Sequence, residues 1–414
     1  MSTNQEKIAY LNETKELIKE AIINKGAEIN DSDSFRSYAD KLNELPSYNT
    51  QLRVTTYNPK NSTEMSRVIA ENIQLLPDIK LGTAFTSNLF SGYKALTKAP
   101  NITSSKTITS MSGMFNGCSN LTEVPHYDTS EVTDMSAMFY GCSKLTNIPQ
   151  FNTISVTNIT NMFNGCSSLT EVPNFDLHNV TTSGYTFNGC TSLTTIPSFD
   201  LSNSTTFNRF CYGCTSLTNT PTINMYEATS TAEMFSGCVN LVSVSYLNTS
   251  KVRDMSNMFY GCEKLETTAP LDTSAATSLS GMYSGCLSLK TASVNTNSAI
   301  DVSKLFNTCN NLKSVSNMDL SKATNTQNMF YSCRVLETLP PFNLSSVQNA
   351  DNMFYLCEAF SDLSLINIMS SLLTATKLST KTFKSVGISQ ALIERCTVLP
   401  GYQELIDAGW TSGY

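Results

Sequence analysis

Cysteine has the most chemistry to offer in this 414-residue chain, and eleven of its thirteen cysteines keep a beat. Cys118, Cys142, Cys166, Cys190, Cys214, Cys238, Cys262, Cys286, Cys309, Cys333 and Cys357 follow one another at 24 residues, with a single step of 23 before Cys309. Thiols can cross-link, bind metal or act as nucleophiles. A disulfide framework needs facing pairs, and zinc needs clustered ligands such as paired CxxC motifs. Even spacing supplies neither, because equivalent positions of a repeat point the same way and form a column. Cys211 and Cys214 make one CxxC-like pair, but Cys211 stands where Phe115, Phe139 and Phe163 stand in other copies. The cysteines therefore read as small buried core residues, reduced in a cytosolic setting.

The remaining reactive types are sparse. His126 and His178 are the only two histidines and occupy different places in the repeat, which makes a poor triad or metal site. Asp128, Asn152, Asp176 and Asp200 recur ten residues after a cysteine, but Asn alternates with Asp and no calcium-loop cluster appears. Turn chemistry accounts for them. No phosphate-binding glycine loop and no nucleophile paired with a base is visible. The expectation is a non-enzyme without metal or cofactor.

Two outward columns could bind. Thr122, Thr146, Thr170, Thr194 and Thr218 lie four residues after successive cysteines. A threonine ladder suits ice or sugar, although β-branched Thr also favours strands for its own sake. Tyr140, Tyr212, Tyr260, Tyr331 and Tyr355 recur two residues before a cysteine, with Asn or Ser between them. Such aromatic rows, apolar in body and polar at the tip, grip glycans or proteins. These five tyrosines are the candidate ligand face.

Composition sets the outer bounds. Only 15% of residues are charged and the net charge is −7, with Lys and Arg scattered singly, so no nucleic-acid footprint appears. No stretch approaches the ~18 apolar residues of a membrane span, and the opening MSTNQEKIAYLNE lacks an apolar secretory core.

The elements that must position these columns follow from the repeat itself. Counting Tyr93 as the first beat gives twelve copies, and a fixed period of this length means stacked units that share one core. Relative to the cysteine, apolar residues recur at +3 (Leu121, Leu145), +6 (Val124, Ile148), +9 (Tyr127, Phe151), +14 (Val132, Val156) and −4/−3 (Met114-Phe115, Met138-Phe139). Proline at +7 (Pro125, Pro149, Pro173) predicts a bend after a short strand. The Met-Ser-x-Met-Phe run, apolar at i, i+3 and i+4, predicts a short helix or 3₁₀ turn. Each coil is then strand, bend, turn and helical return, an α/β repeat.

Outside the repeat, residues 3–24 and the stretch from Asp31–Asp33 to Pro46 read as two amphipathic helices. Residues 1–46 form an attachment or oligomerisation segment. Residues 47–88, with a helix expected over 63–76, form a transition and N-terminal cap. The solenoid runs from 89 to 360. Residues 361–414 form a C-terminal cap, with a helix from Tyr402 to Ala408 stopped by Gly409 and the only tryptophan, Trp410.

The motif MSxMFxGCxxLTxVPxxDTSxVTD resembles the repeat of BspA-like leucine-rich repeat surface proteins over roughly 89–360. The resemblance implies a right-handed solenoid serving adhesion or binding. Proline is lost at Ser245 and Ala269, where the coil departs from the pattern. The opening KIAYLNETKELIKEAIINKGAEINDSDSFRSYADKLNEL and the closing LIERCTVLPGYQELIDAGWTSGY are similar to segments of bacteriophage and prophage structural proteins, particularly tail-fibre-like ones. Together these resemblances imply a virion appendage. It would be made in the host cytoplasm, joined to other virion proteins or to itself through the N-terminal helices. Its solenoid would present a face to a host glycan or protein. The alternative is a bacterial cell-surface adhesin with the same repeats.

Overall fold

The protein's structure, a computed structural model, describes residues 75–76, 78–81, 86–104, 107–267, 271–316 and 318–414. The expected helices over 3–24 and up to Pro46 lie outside these residues, as does most of 63–76. Leu75 bridges Lys98 in parallel, so no helix reaches it. The chain divides into two compact units, Met1–Asn179 and Val180–Tyr414.

In the first unit, backbone groups are satisfied between coils rather than within a helix. Alternate N–H groups donate forward to the next coil: Met111 to Asp134 O (2.8 Å), Gly113 to Ser136 O (2.8 Å), Phe115 to Met138 O (2.9 Å) and Gly117 to Tyr140 O (2.6 Å). Groups between them fold back on their own coil, Met114 to Met111 O (3.2 Å) and Cys118 to Phe115 O (3.0 Å). The run is thus a chain of tight turns. The expected helical return is wrong for a stereochemical reason: every coil places two residues at positive φ. One falls five before the cysteine (Gly113, Ala137, Asn161) and one directly before it (Gly117, Gly141, Gly165). Left-handed residues at four-residue intervals stop any right-handed helix. The i, i+3, i+4 apolar spacing survives because each turn returns a side chain to the interior.

The expected strand also shrinks. In this unit it is a row of isolated parallel bridges, Leu75↔Lys98↔Glu123, with β1 (Ile79–Leu81) paired to β2 (Ile102–Ser104). Proline at +7 has no N–H to continue the ladder. A second row of bridges, Ser110↔Asp134↔Asn158, joins the coils.

The second unit repeats this plan. Bridges run without interruption through Thr206, Ser230, Asp254, Ser278, Asp301, Asn325 and Asn349. Two short parallel pairs add to them, β3 (Phe199–Asp200) with β4 (Ile223–Asn224) and β5 (Thr291–Ser293) with β6 (Ser314–Ser316). Its interior is a column of parallel rings, Phe235, Phe259, Tyr283, Phe306, Phe330 and Phe354, with successive centroids 5.6–6.0 Å apart. Where Cys211 replaces the ring, Phe207 and Phe210 close the space edge-on, 5.7 Å apart.

Three helices end the second unit: α1 (Asp362–Thr374), α2 (Gln390–Cys396) and α3 (Tyr402–Asp407). Ser361 and Ser389 cap α1 and α2 with their hydroxyls. Hydroxyls on one face of α1 accept from the coil beneath: Leu339 N–H donates to Ser364 Oγ (3.0 Å), Phe342 N–H to Ser371 Oγ (2.8 Å) and Leu344 N–H to Thr374 Oγ1 (2.7 Å). Earlier in the unit the equivalents of the last two, Phe199 and Leu201, donate to carbonyls of the next coil, those of Thr222 and Asn224. Trp410 is buried against Phe383.

Candidate binding face and the buried thiol column

Every cysteine of the column is a free thiol with essentially no exposure, and so are Cys211 and, nearly so, Cys396. The coil geometry gives each thiol a task. Three residues before the cysteine a carbonyl points inward, and the next coil's thiol donates to it. In the first unit Cys118 donates to Phe90 O (3.1 Å), Cys142 to Phe115 O (3.2 Å) and Cys166 to Phe139 O (3.0 Å). In the second, Cys214 donates to Phe187 O (3.1 Å), Cys238 to Cys211 O (3.1 Å), Cys262 to Phe235 O (3.2 Å) and Cys357 to Phe330 O (2.9 Å). Sequence reasoning treated the cysteine as a small hydrophobe and missed this donor role. Nothing in the letter pattern tells which way the carbonyl at −3 faces.

Burial makes these thiols chemically inert. Desolvation pushes Cys118 and Cys166 up to about 12 and raises Cys142, Cys238 and Cys286 well above the ordinary thiol value. A nucleophile or metal ligand must be a thiolate, and these are the opposite. Among the described residues no group of three or more His, Cys, Asp or Glu is placed to hold a metal ion. His178 is half-buried and bonds Asp176 Oδ1 (2.7 Å), holding that carboxyl below its usual range. The +10 side chains close turns: Asp128 Oδ1 accepts from Ser130 N–H (3.2 Å), Asn152 Oδ1 from Ile154 N–H (3.2 Å) and Asp272 Oδ1 from Ser274 N–H (2.9 Å).

The outward rows are where contact with a partner is open. In the first unit Tyr140 is exposed between half-buried Asn116 and Asn164. In the second, Tyr212, Tyr260 and Tyr355 are exposed and Tyr331 is half-buried, stacked on Tyr355 at 5.0 Å. Tyr212 lies against Arg209, whose guanidinium sits 5.1 Å from the ring and is held by two bonds to Glu233 (2.9 and 3.0 Å). The threonines at +4 are exposed, and in the first unit Thr122 Oγ1 donates back to Thr97 O (3.0 Å) and Thr170 Oγ1 to Thr146 O (3.3 Å).

A second threonine row lies at +15, which the sequence reading did not single out although the letter recurs there. Thr133 donates to Thr109 O (3.2 Å) and Thr157 to Thr133 O (3.1 Å). In the second unit Thr229 donates to Thr205 O (3.1 Å) and Thr277 to Arg253 O (3.1 Å). Their hydroxyl protons are tied to the coil behind, so the row offers methyl groups and lone pairs outward. No helix among the described residues is long and apolar enough to cross a membrane.

Coils of this period, with reactive groups inside and repeated polar and aromatic rows outside, define a solenoid repeat protein. The chain belongs to the family described as "Mycoplasma protein of unknown function, DUF285", whose profile matches residues 84–198, 109–224, 229–339 and 292–385. No curated protein matches the sequence. Among solved structures, a leucine-rich repeat protein from Bacteroides ovatus is similar at 20% identity and a TM-score of 0.40, covering 64% of this chain and 79% of that one. A leucine rich cell surface protein from Faecalibacterium prausnitzii is similar at 18% identity and a TM-score of 0.33, covering 66% and 80%. A leucine-rich repeat protein from Eubacterium ventriosum is similar at 16% identity and a TM-score of 0.36, covering 65% and 79%. The coil geometry above, rather than these distant likenesses, carries the assignment of a repeat solenoid.

Proposed function

We propose that this chain is a non-catalytic binding protein that acts at a bacterial cell surface, using the outward rows of its coils to hold a macromolecular partner. The observation that carries this reading is the division between inside and outside. All the thiols are free and buried within the core, while tyrosine and threonine recur on the outer surface. An extended, repeated surface suits a long ligand better than a small substrate. The resemblance of the repeat to BspA-like surface proteins supports the same setting and implies a right-handed winding of about twelve coils.

A bacteriophage tail or capsid appendage is the second reading. It draws on the similarity of the opening and closing segments to phage structural proteins. In either setting residues 1–46 attach the chain to other copies or to a larger assembly, and the solenoid presents. Two experiments test the scheme. The full chain is offered to immobilised cell-surface polysaccharides and extracellular-matrix proteins, then compared with a variant carrying Tyr140→Ser, Tyr212→Ser and Tyr260→Ser. Capture should fall in the variant while thermal unfolding barely moves; unchanged capture sinks the tyrosine face. A chain lacking residues 1–46 should bind as before but lose self-association. If it assembles normally, the attachment role is wrong.

A further inference from the structure

The tyrosine row of the second unit has a spacing that selects among ligands. Tyr212 and Tyr260 are two coils apart, 36% and 51% exposed. Between and beyond them the same position holds Ser236 and Ser284, which are only 3% and 5% exposed. The row is therefore two exposed aromatic side chains separated by a recessed, short one. Tyr331 and Tyr355, one coil apart in this row, have ring centroids 5.0 Å apart. The stacked inner rings step by 5.6–6.0 Å. Two coils thus advance the outer surface by roughly 10 Å, close to twice the spacing of paired strands.

That advance is a chemical signature. In a β-1,4-linked pyranose chain each sugar is turned over relative to the last, so the same ring face returns at every second residue, after roughly the same 10 Å step as two coils. The axial C–H groups of a pyranose pack on an aromatic face, and the equatorial hydroxyls reach the polar groups around it. We propose that Tyr212 and Tyr260 bind alternate residues of one β-1,4-linked glycan chain lying along the coil stack. Arg209 fixes the Tyr212 ring from one side, with its guanidinium held by Glu233, which leaves the opposite face for the sugar. The Tyr260 side chain, 51% exposed, makes no ring contact or hydrogen bond among the described residues and stands free to stack. An α-1,4-linked chain coils, and a β-1,3-linked chain curves, so neither returns the same face at this interval. The proposal rests on the tyrosine row being the binding face, and adds the class of ligand.

The test uses the full chain and four hexasaccharides: cellohexaose, chitohexaose, laminarihexaose (β-1,3) and maltohexaose (α-1,4), measured by titration calorimetry. At least one of the β-1,4 chains should bind about tenfold or more tightly than the other two, and its disaccharide, too short to place a sugar on both rings, should lose about tenfold. Tyr212→Ser and Tyr260→Ser should each weaken binding of the β-1,4 hexamer by a similar factor. Tyr246→Ser, an exposed tyrosine outside the row, should change nothing, and circular dichroism should show all three variants folded. Equal binding of the four hexamers, binding of none, or indifference to both row variants overturns the proposal. If the hexamers fail but the row variants still reduce capture of an immobilised macromolecule, the face stands and the ligand class falls. If capture is also indifferent, both fall.

Discussion

A thiol in this coil is a compact apolar body and a weak donor at once. Alanine would leave the inward carbonyl at −3 with its own coil's N–H alone, and valine would crowd the turn. The position just before it shows the opposite economy. Most coils use glycine there at positive φ, because a Cβ costs roughly 1–2 kcal/mol in that conformation. Thr308 (φ 61°), Ser332 (φ 61°) and Leu356 (φ 61°) break the rule. Thr308 is β-branched, the least suited of the three. Its hydroxyl bonds Asn307 Oδ1 (2.7 Å), a partly exposed contact that water can replace. Thr308→Gly should therefore stabilise the second unit by about 1 kcal/mol, read as a higher urea midpoint with an unchanged slope. A lower midpoint would mean that the hydroxyl bond outweighs the strain.

The two left-handed positions were unequally legible in the sequence. Glycine before the cysteine is an overt letter. Five residues before it, Asn88, Gly113, Asn161, Asn257, Gly281, Asn328 and Asn352 are types that favour positive φ, but Ala137, Tyr185, Arg209, Glu233 and Lys304 adopt it too. At those five, coil-to-coil bonding imposes a conformation that the letter does not reveal.

At the scale of elements, the same cause overturned the helical return and spared the register. Apolar spacing tells which side chains face inward, but not whether the intervening N–H groups bond within the run or across to a neighbour. The closing helices show what happens where coil-to-coil bonding ends. Ser364, Ser371 and Thr374 lie at i, i+7 and i+10 on α1, one face of the helix, and accept the N–H groups that further up the unit donate to a following coil. Ser371 is buried, so Ser371→Ala leaves Phe342 N–H unmatched at about 1–3 kcal/mol. Hydrogen exchange should speed up at Phe342 and its neighbours while amides around Phe235 keep their protection. Uniform loss of protection through the unit would show that it opens as one block and that α1 is no local lid. Sequence reasoning placed a helix at Tyr402 and missed α1 and α2. The hydroxyl stripe of α1 looks like an ordinary polar surface until the ladder it serves is known.

For the molecule as a whole, the buried thiols sum to a property no single one shows. Folded, Cys118 and Cys166 keep their protons to about pH 12, and Cys142, Cys238, Cys262, Cys286, Cys309 and Cys357 are raised by the same desolvation. Unfolded, each ionises near its ordinary value of about 8.5. Between those limits the unfolded chain binds fewer protons than the native one, so stability falls as pH rises. The contribution is complete below the unfolded value and is lost toward the folded one, at about 1.4 kcal/mol per pH unit for each thiol. The urea midpoint should be flat from pH 7 to 8 and drop steeply above 9. Replacing Cys142 and Cys166 by Ala should make the drop shallower. A midpoint independent of pH up to 11 would show that the thiols ionise within the folded chain.

The bonds between coils of the second unit run along the direction in which those coils stack. Tension applied to the two ends of the unit therefore loads one coil boundary at a time, and the unit peels where a sheet pulled along its strands would shear. A released coil of 24 residues extends to roughly 80 Å, many times the thickness it had when stacked. Each rupture relaxes the load before the next boundary feels it. A pull on such a unit therefore lengthens it coil by coil.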